Sequence, residues 1–314
     1  MKLVIQIPAW DEAAHIGAAV RELPRALKGF DSVEVLVVDD GSRDDTARLA
    51  REAGADHVVR LPIHRGLAFA WRAGLDAALR VGADVIVSTD ADRQYAAADI
   101  ETLLQPILKG EAEIVVGDRG VATKADFSPV KRLTQRLGSW VVRRASGLQV
   151  PDATSGFRAL TREAALRINV FSRMTYTVET LIQAGTKEMA VAAVRIRTNP
   201  PVRPSRLIPN VSRYVLVQGT NILRLTALYK PLPVFFGFAG LLTLAGLFLV
   251  GRYVYFVFAG VNPSGHLQSL LFAAVLFLAA VVSFLTGLLA DLISVNRALL
   301  EELLERARRQ DAER

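Results

Sequence analysis

Two stretches near the C-terminus constrain this chain more than any other feature. Residues 233–251 carry no charge, and after the single Arg252 the apolar run resumes through Ala259. Residues 267–290 carry no charge either. Each stretch is long enough to cross a hydrocarbon core of roughly 30 Å as a helix. A pair of buried core helices is the competing reading, but core helices are rarely uncharged over such lengths. The link Gly260–His266 holds no Lys or Arg, whereas Arg213, Arg224 and Lys230 precede the pair and Arg297, Arg306, Arg308 and Arg309 follow it. The positive-inside rule then predicts a hairpin of two spans, at 232–258 and 267–290, with both flanks in the cytoplasm. Arg252 lies near the outer end of the first span, where it can snorkel to the interface beside Tyr253 and Tyr255. Residues 293–314 are expected as a cytoplasmic C-terminal helix.

Charge narrows the partners. The net charge is +7, and no Asp or Glu occurs between Glu188 and Asp291. Arg195, Arg197, Arg203, Arg206 and Arg213 therefore form a basic stretch just before the membrane. That position favours lipid headgroups or an anionic lipid substrate over nucleic acid. There is no cysteine, which excludes disulfides, thiolate nucleophiles and cysteine-based metal sites. The apolar run in "MKLVIQIPAW" is too short for a signal peptide, so the first 230 residues are expected to stay in the cytoplasm.

Within that part, strand and helix patterns alternate. "KLVIQI", "VEVLVV", "HVVRL", "DVIVST" and "EIVVG" read as strands. Helical spacing covers Asp11–Lys28, a segment ending at Ala53 with Ser42 or Asp44 as its cap, Gly66–Val81 and Ala97–Lys109. The order predicts a doubly wound, mostly parallel α/β sheet over residues 1–198, with ligands beyond the carboxyl ends of its strands. Past residue 120 the pattern changes. Lys131–Ser146 reads as a basic amphipathic helix, either a solvated face or a membrane-interface element. Pro200, Pro201, Pro204 and Pro209 mark a juxtamembrane linker over 199–230.

The strand "DVIVST" runs into Asp90-Ala91-Asp92. Two adjacent carboxylates repel, and a divalent cation such as Mg²⁺ or Mn²⁺ would offset the repulsion. Mg²⁺ binds through one or two carboxylates plus substrate phosphates. Helix capping by Asp92 is the plainer alternative. Asp39-Asp40 is expected to approach the same rim from a neighbouring strand. No G-x-G-x-x-G follows the first strand and no P-loop motif occurs, so neither a dinucleotide site nor a P-loop is indicated.

"IPAWDEAAHIG", "VVDDGSRDDT", "RGLAFAWRAGL", "STDADRQY" and "VVGDR", in this order, resemble family-2 nucleotide-sugar glycosyltransferases of the GT-A fold. "DATSGFRALTREA", "YTVE" and the C-terminal hairpin narrow the resemblance to polyprenyl-phosphate glycosyltransferases, the group of dolichol-phosphate mannose synthase and undecaprenyl-phosphate glucosyltransferases. The resemblance implies that Pro8, Trp10, Glu12 and Asp40 hold the nucleotide, and that Asp90 and Ala91 lie by its ribose and sugar. It implies a metal on Asp92 and Gln94, Arg119 near the reacting phosphates, and Arg206 closing over the diphosphate. Arg132, Arg136 and Ser139 fall where the family holds a lipid phosphate; plain surface charge is the other reading of the two arginines. Arg93 stands where the family often has Gly, and His64 where it often has Asn. Arg93 is expected to add a cation beside the metal.

The implied reaction is an inverting, metal-dependent transfer of one sugar from a nucleotide-diphosphate sugar, of GDP-mannose or UDP-glucose type, to a polyprenyl phosphate. Two alternatives are a membrane transferase acting on a glycolipid or polysaccharide hydroxyl, and a non-catalytic partner that kept the fold. The small membrane part also suggests a homo-oligomer.

Overall fold

"KLVIQI" and "VEVLVV" become adjacent parallel strands, β1 (Lys2–Ala9) and β2 (Ser32–Asp39), in register from Lys2–Ser32 to Ala9–Asp39. The computed structural model describes residues 1–120, 139–140, 142–144, 146–171, 176–199, 220, 224, 227, 229, 231–260 and 267–313. β3 (His57–Arg60) extends β2 on its outer side, and β4 (Val85–Ser88) lies on the other side of β1. The intervening helices are α1 (Ile16–Glu22), α2 (Thr46–Glu52), α3 (Leu67–Arg80) and, after a short 3-10 turn at 97–99, α4 (Ile100–Leu108).

The sheet has seven strands in the order β3-β2-β1-β4-β6-β5-β7. β6 (Arg158–Thr161) inserts between β4 and β5 (Ile114–Asp118) and runs antiparallel to both, while β7 (Val191–Arg195) pairs parallel to β5. The strand patterns up to residue 117 predict none of this insertion, because β6 is four residues long and opens straight into α5 (Arg162–Arg167). α6 (Thr177–Thr186) precedes β7.

β1 is buried on both faces because helices cover both. Leu3, Ile5 and Ile7 face a core with Ile16, Val20, Ile100 and Leu103; Val4 faces the opposite one with Trp71, Leu75, Ala164 and Ala184. This explains the unbroken apolar run, the pattern of a strand enclosed by crossover helices. α1 is shorter than the expected Asp11–Lys28. Leu23 takes an extended ψ of 140° ahead of Pro24, which ends the helix at Glu22. Neither Ser42 nor Asp44 is the N-cap residue of α2, which is Asp45; Asp44 nonetheless accepts the N–H of Thr46 at 3.1 Å in its first turn.

Two further helices follow, α7 (Pro231–Phe258) and α8 (Leu267–Glu313). Both are long and apolar enough to cross a membrane, with only 11% and 22% of the most apolar window buried. A soluble core pair would be buried, so that reading is set aside. The segment 293–314 is not a separate helix: α8 continues unbroken from the second apolar run to Glu313. The chain divides into one unit of Met1–Ile222 with Glu301–Arg314, and another of Leu223–Leu300.

Candidate active site

The site begins where β1 and β4 part. Their pairing ends at Gln6–Ser88, while β1 continues beside β2 to Ala9. Pro8 lies on the same side of β1 as Gln6, so its missing N–H faces the place where β4 has already left the ladder. A crevice at this strand edge is where open α/β sheets take ligands.

Asp90, two residues past β4, is mostly buried and lies against Gly156, where an added Cβ would stand 3.3 Å from both carboxyl oxygens. Burial and the charge of Asp92 push its carboxyl up to about 7; Arg119 opposes the shift and Glu12 adds to it. Asp92, Arg119 and Glu12 therefore each act electrostatically on Asp90. Asp92 accepts the N–H of Gln94 at 3.0 Å. Among the described residues, no three His, Asp or Glu side chains form a metal-holding group. A donor set of one or two protein oxygens, completed by phosphates, is nevertheless the usual one for Mg²⁺.

Arg119, just after β5, is fixed by a residue outside the predicted set. Its Nε and Nη2 donate to Asp152 at 2.7 and 3.0 Å, and Nη2 also donates to Thr154 at 2.8 Å. Burial disfavours the guanidinium charge, but Tyr95, Asp152 and Asp90 outweigh it and hold the group protonated. The loop 152–157 that supplies Asp152 is itself built around a fully buried arginine. Arg158 donates to the carbonyls of Ser155 and Ala153 at 2.8 and 3.0 Å, and to Thr180. Burial pulls Arg158 down to about 10, which leaves it charged at neutral pH. Gly156 N donates to the Tyr95 hydroxyl at 3.0 Å, and Tyr176 donates to Gly156 O at 3.2 Å. "DATSGFR" is thus the scaffold that positions both Asp90 and Arg119. Its signal in the sequence was the motif itself, although neither Asp152 nor Arg158 is among the predicted site residues.

Trp10, Glu12 and Asp40 gather on the β2 side. Asp40 is buried and accepts N–H bonds from Arg65 and Gly66 at 2.9 and 2.8 Å; His64 Nδ1 lies 2.8 Å from the same carboxylate. The His64 ring stacks on Trp10 with centroids 4.1 Å apart. The His that stands at 64 where the resembled family often has Asn therefore makes an aromatic pair with Trp10. Asp39 turns to its own partners, Ser42 N at 2.9 Å and Arg60 Nε at 3.3 Å. With β1 between β2 and β4, the pair Asp39-Asp40 does not sit on a strand next to Asp90.

Two further expectations change. Arg93 does not face the metal pair; its guanidinium is tied to Glu22 in α1. Its φ of 58° accounts for glycine at the equivalent place in the resembled family. Arg195 and Arg197 are not isolated cations, since they pair with Asp118 and Asp99. Ser139 is buried, with no hydrogen-bond partner for its hydroxyl among the described residues. Arg132, Arg136 and Arg206 lie outside the described residues.

Residues 4–168 match the family described as Glycosyl transferase family 2. The chain belongs to this family. Two relatives define its neighbourhood. This glycosyltransferase is 28% identical to the UDP-N-acetylglucosamine–dolichyl-phosphate N-acetylglucosaminyltransferase of Methanococcus voltae, over 69% of this chain and 89% of that one. It is 32% identical to the polyprenol monophosphomannose synthase of Mycolicibacterium smegmatis, over 54% of this chain and 65% of that one. Among solved structures, glucosyl-3-phosphoglycerate synthase from Mycobacterium tuberculosis, in complex with Mn²⁺, UDP and glucosyl-3-phosphoglycerate, superposes with a TM-score of 0.55 at 24% identity. That likeness covers 70% of this chain and 79% of the other and shows a shared GT-A fold.

Proposed function

We propose that this glycosyltransferase moves one sugar from a nucleotide-diphosphate sugar to a polyprenyl phosphate, with inversion, at the cytoplasmic face of a membrane. The observation that carries this reading is the cluster of Glu12, Asp90, Asp92 and Arg119 at the carboxyl edge of a family-2 sheet, in a chain with two membrane-length helices. The relatives support the acceptor. Their names differ in the sugar, N-acetylglucosamine or mannose, and agree on a polyprenol-type lipid phosphate.

In this reading Trp10 and His64 form the aromatic wall against which the base stacks, with Pro8, Glu12 and Asp40 holding the loops around it. Asp90 and Ala91 border the ribose and sugar. Burial does most to raise Asp90, and the charges of Asp92 and Glu12 add to it; that added negative charge fits a cation in the crevice, which Asp92 with Gln94 would hold together with the diphosphate. Bound there, Mg²⁺ or Mn²⁺ supplies Lewis-acid stabilisation of the departing diphosphate; Mn²⁺ accompanies UDP in the related synthase structure. Arg119, fixed by Asp152, adds a preorganised positive charge at the same edge. A phosphate oxygen of the lipid attacks the anomeric carbon, the bond from that carbon to the diphosphate oxygen breaks, and the nucleoside diphosphate leaves with the electron pair. The acceptor is already an anion, so no proton need be removed, unlike transfer to a hydroxyl. Ser139, with Arg132, Arg136 and Arg206, serves the lipid phosphate and diphosphate.

Replacement of Asp92 by Ala tests the site. The variant is expected to stay folded and membrane-bound while transfer falls below detection in an assay with labelled nucleotide sugar. Wild-type transfer by Asp92→Ala refutes the metal role.

A further inference from the structure

α8 has 47 residues, which at 1.5 Å each makes it about 70 Å long. A hydrocarbon core takes about 20 of them, and the uncharged run 267–290 supplies those. From Asp291 onward the helix carries charges in nearly every turn and extends past the hydrocarbon.

In this outer part the polarity is inverted. The face turned to the chain's own fold is polar. Glu301 is buried and pairs with Lys187 at 2.9 Å. Arg308 donates to Asn169 Oδ1 at 2.7 Å and lies 3.3 Å from Asp76, and Arg309 pairs with Glu163 at 2.7 Å. The opposite face is apolar. Leu289, Leu292, Leu299 and Leu303 are all more than half exposed (62, 63, 56 and 60%), with Asn296 exposed among them. These five positions are spaced by three, four, three and four residues, the repeat of a coiled-coil seam.

What covers the seam follows from where it lies. Lipid tails do not reach it from Leu292 onward, since the spanning run ends at Ala290 and only Leu289 lies at the end of that run. The helix cannot lie flat on the membrane surface, because it continues a spanning segment without a break. Every copy of the chain crosses the membrane in the same sense. Two copies therefore offer the same stripe in parallel and in register about a twofold axis along the membrane normal, which closes the contact. With Leu289, Asn296 and Leu303 at the a positions and Leu292 and Leu299 at d, the single Asn falls at an a position. There it specifies register and strand number in a parallel pair at some cost in stability. We propose that Leu289, Leu292, Asn296, Leu299 and Leu303 form a parallel zipper with the same residues of a second copy. This rests on the membrane placement proposed above and is independent of the sugar chemistry.

The chain has no cysteine, so single-cysteine variants of the full-length protein report unambiguously. Leu292→Cys, Asn296→Cys, Leu299→Cys and Leu303→Cys are oxidised in membranes, with Ser294→Cys and Glu305→Cys from the inner face as controls. Facing a and d positions come within the roughly 4.4–6.8 Å Cα separation that a disulfide spans. The four seam variants are expected to double in apparent mass on a non-reducing gel, and the two controls to remain monomeric. Adding Leu299→Glu and Leu303→Glu to Leu292→Cys is expected to abolish the crosslink. Membrane-bound protein whose seam variants crosslink no more than the controls overturns the zipper alone. Protein recovered in the soluble fraction overturns the membrane placement and the zipper with it.

Discussion

Asp152 shows how much of this site depends on single side chains away from the acidic motif. It is 2% exposed and holds Arg119 through two hydrogen bonds. Burial raises its carboxyl, but the bonds from Arg119 and Thr154 more than offset this, and the net shift is downward from 3.8. A folded-state pKa below the unfolded one stabilises the fold above the unfolded value, and that contribution is lost as pH falls through the folded one. Asp152→Asn is therefore expected to lower the unfolding free energy at pH 7, read from urea denaturation, by about 3 kcal/mol for a buried ion pair losing one partner. The gap to wild type is expected to close as pH falls below 3.8. A gap that does not change with pH contradicts this role. On the donor side, Trp10→Ala is expected to raise the KM for nucleotide sugar about tenfold or more, since stacking of a base on an aromatic ring contributes about 1–3 kcal/mol. Trp10→Phe should recover most of it, and an unchanged KM in Trp10→Ala places the base elsewhere. The acidic residues and Trp10 were legible in the sequence because their motifs sit at strand ends. Asp152, Arg158 and the Arg93–Glu22 pair were not, because each partner lies 33, 22 or 71 residues away along the chain in Arg119, Thr180 or Glu22.

At the level of elements, the turn after β2 links fold to site most directly. Gly41 has a φ of 68°, and a Cβ there would lie 2.5 Å from the carbonyl carbon of Ile63 and 2.6 Å from the N of His64. Gly41→Ala is thus expected to push the 63–66 loop away from Asp40. Strain and displaced packing together should cost about 1–3 kcal/mol, read as a lower melting temperature, with a raised donor KM because His64 moves with the loop. A variant with unchanged stability and KM shows that the close approach is not required. The same scale separates what periodicity reveals from what it hides. Long buried strands and the fourteen-residue α3 followed from apolar patterning. β6 did not, because a four-residue strand gives no period and its antiparallel placement is decided by partners on β4 and β5. α1 was overestimated because its apolar spacing continues past Pro24, while the backbone does not.

For the molecule as a whole, the chain joins a family-2 catalytic unit to two helices long and apolar enough to cross a membrane, which is what the proposed chemistry at a lipid surface needs. In the proposed reading, tethering the site beside its acceptor raises the effective acceptor concentration without any new contact. The two apolar helices were the clearest signal in the sequence, since uncharged runs of that length have few other uses. That α8 is a single helix was hidden by Asp291 and the charges after it, which read as a new segment. The protein is expected to remain in the membrane pellet after an alkaline wash; release into the supernatant contradicts two spanning helices. The central claim is tested most directly by incubating the membrane-embedded protein with labelled nucleotide sugar, polyprenyl phosphate and Mg²⁺ or Mn²⁺, then extracting with organic solvent. The account predicts label in the lipid phase that requires both polyprenyl phosphate and metal, and that disappears with chelator. No transfer into the lipid phase from any nucleotide-sugar donor, or transfer that proceeds without polyprenyl phosphate, contradicts it.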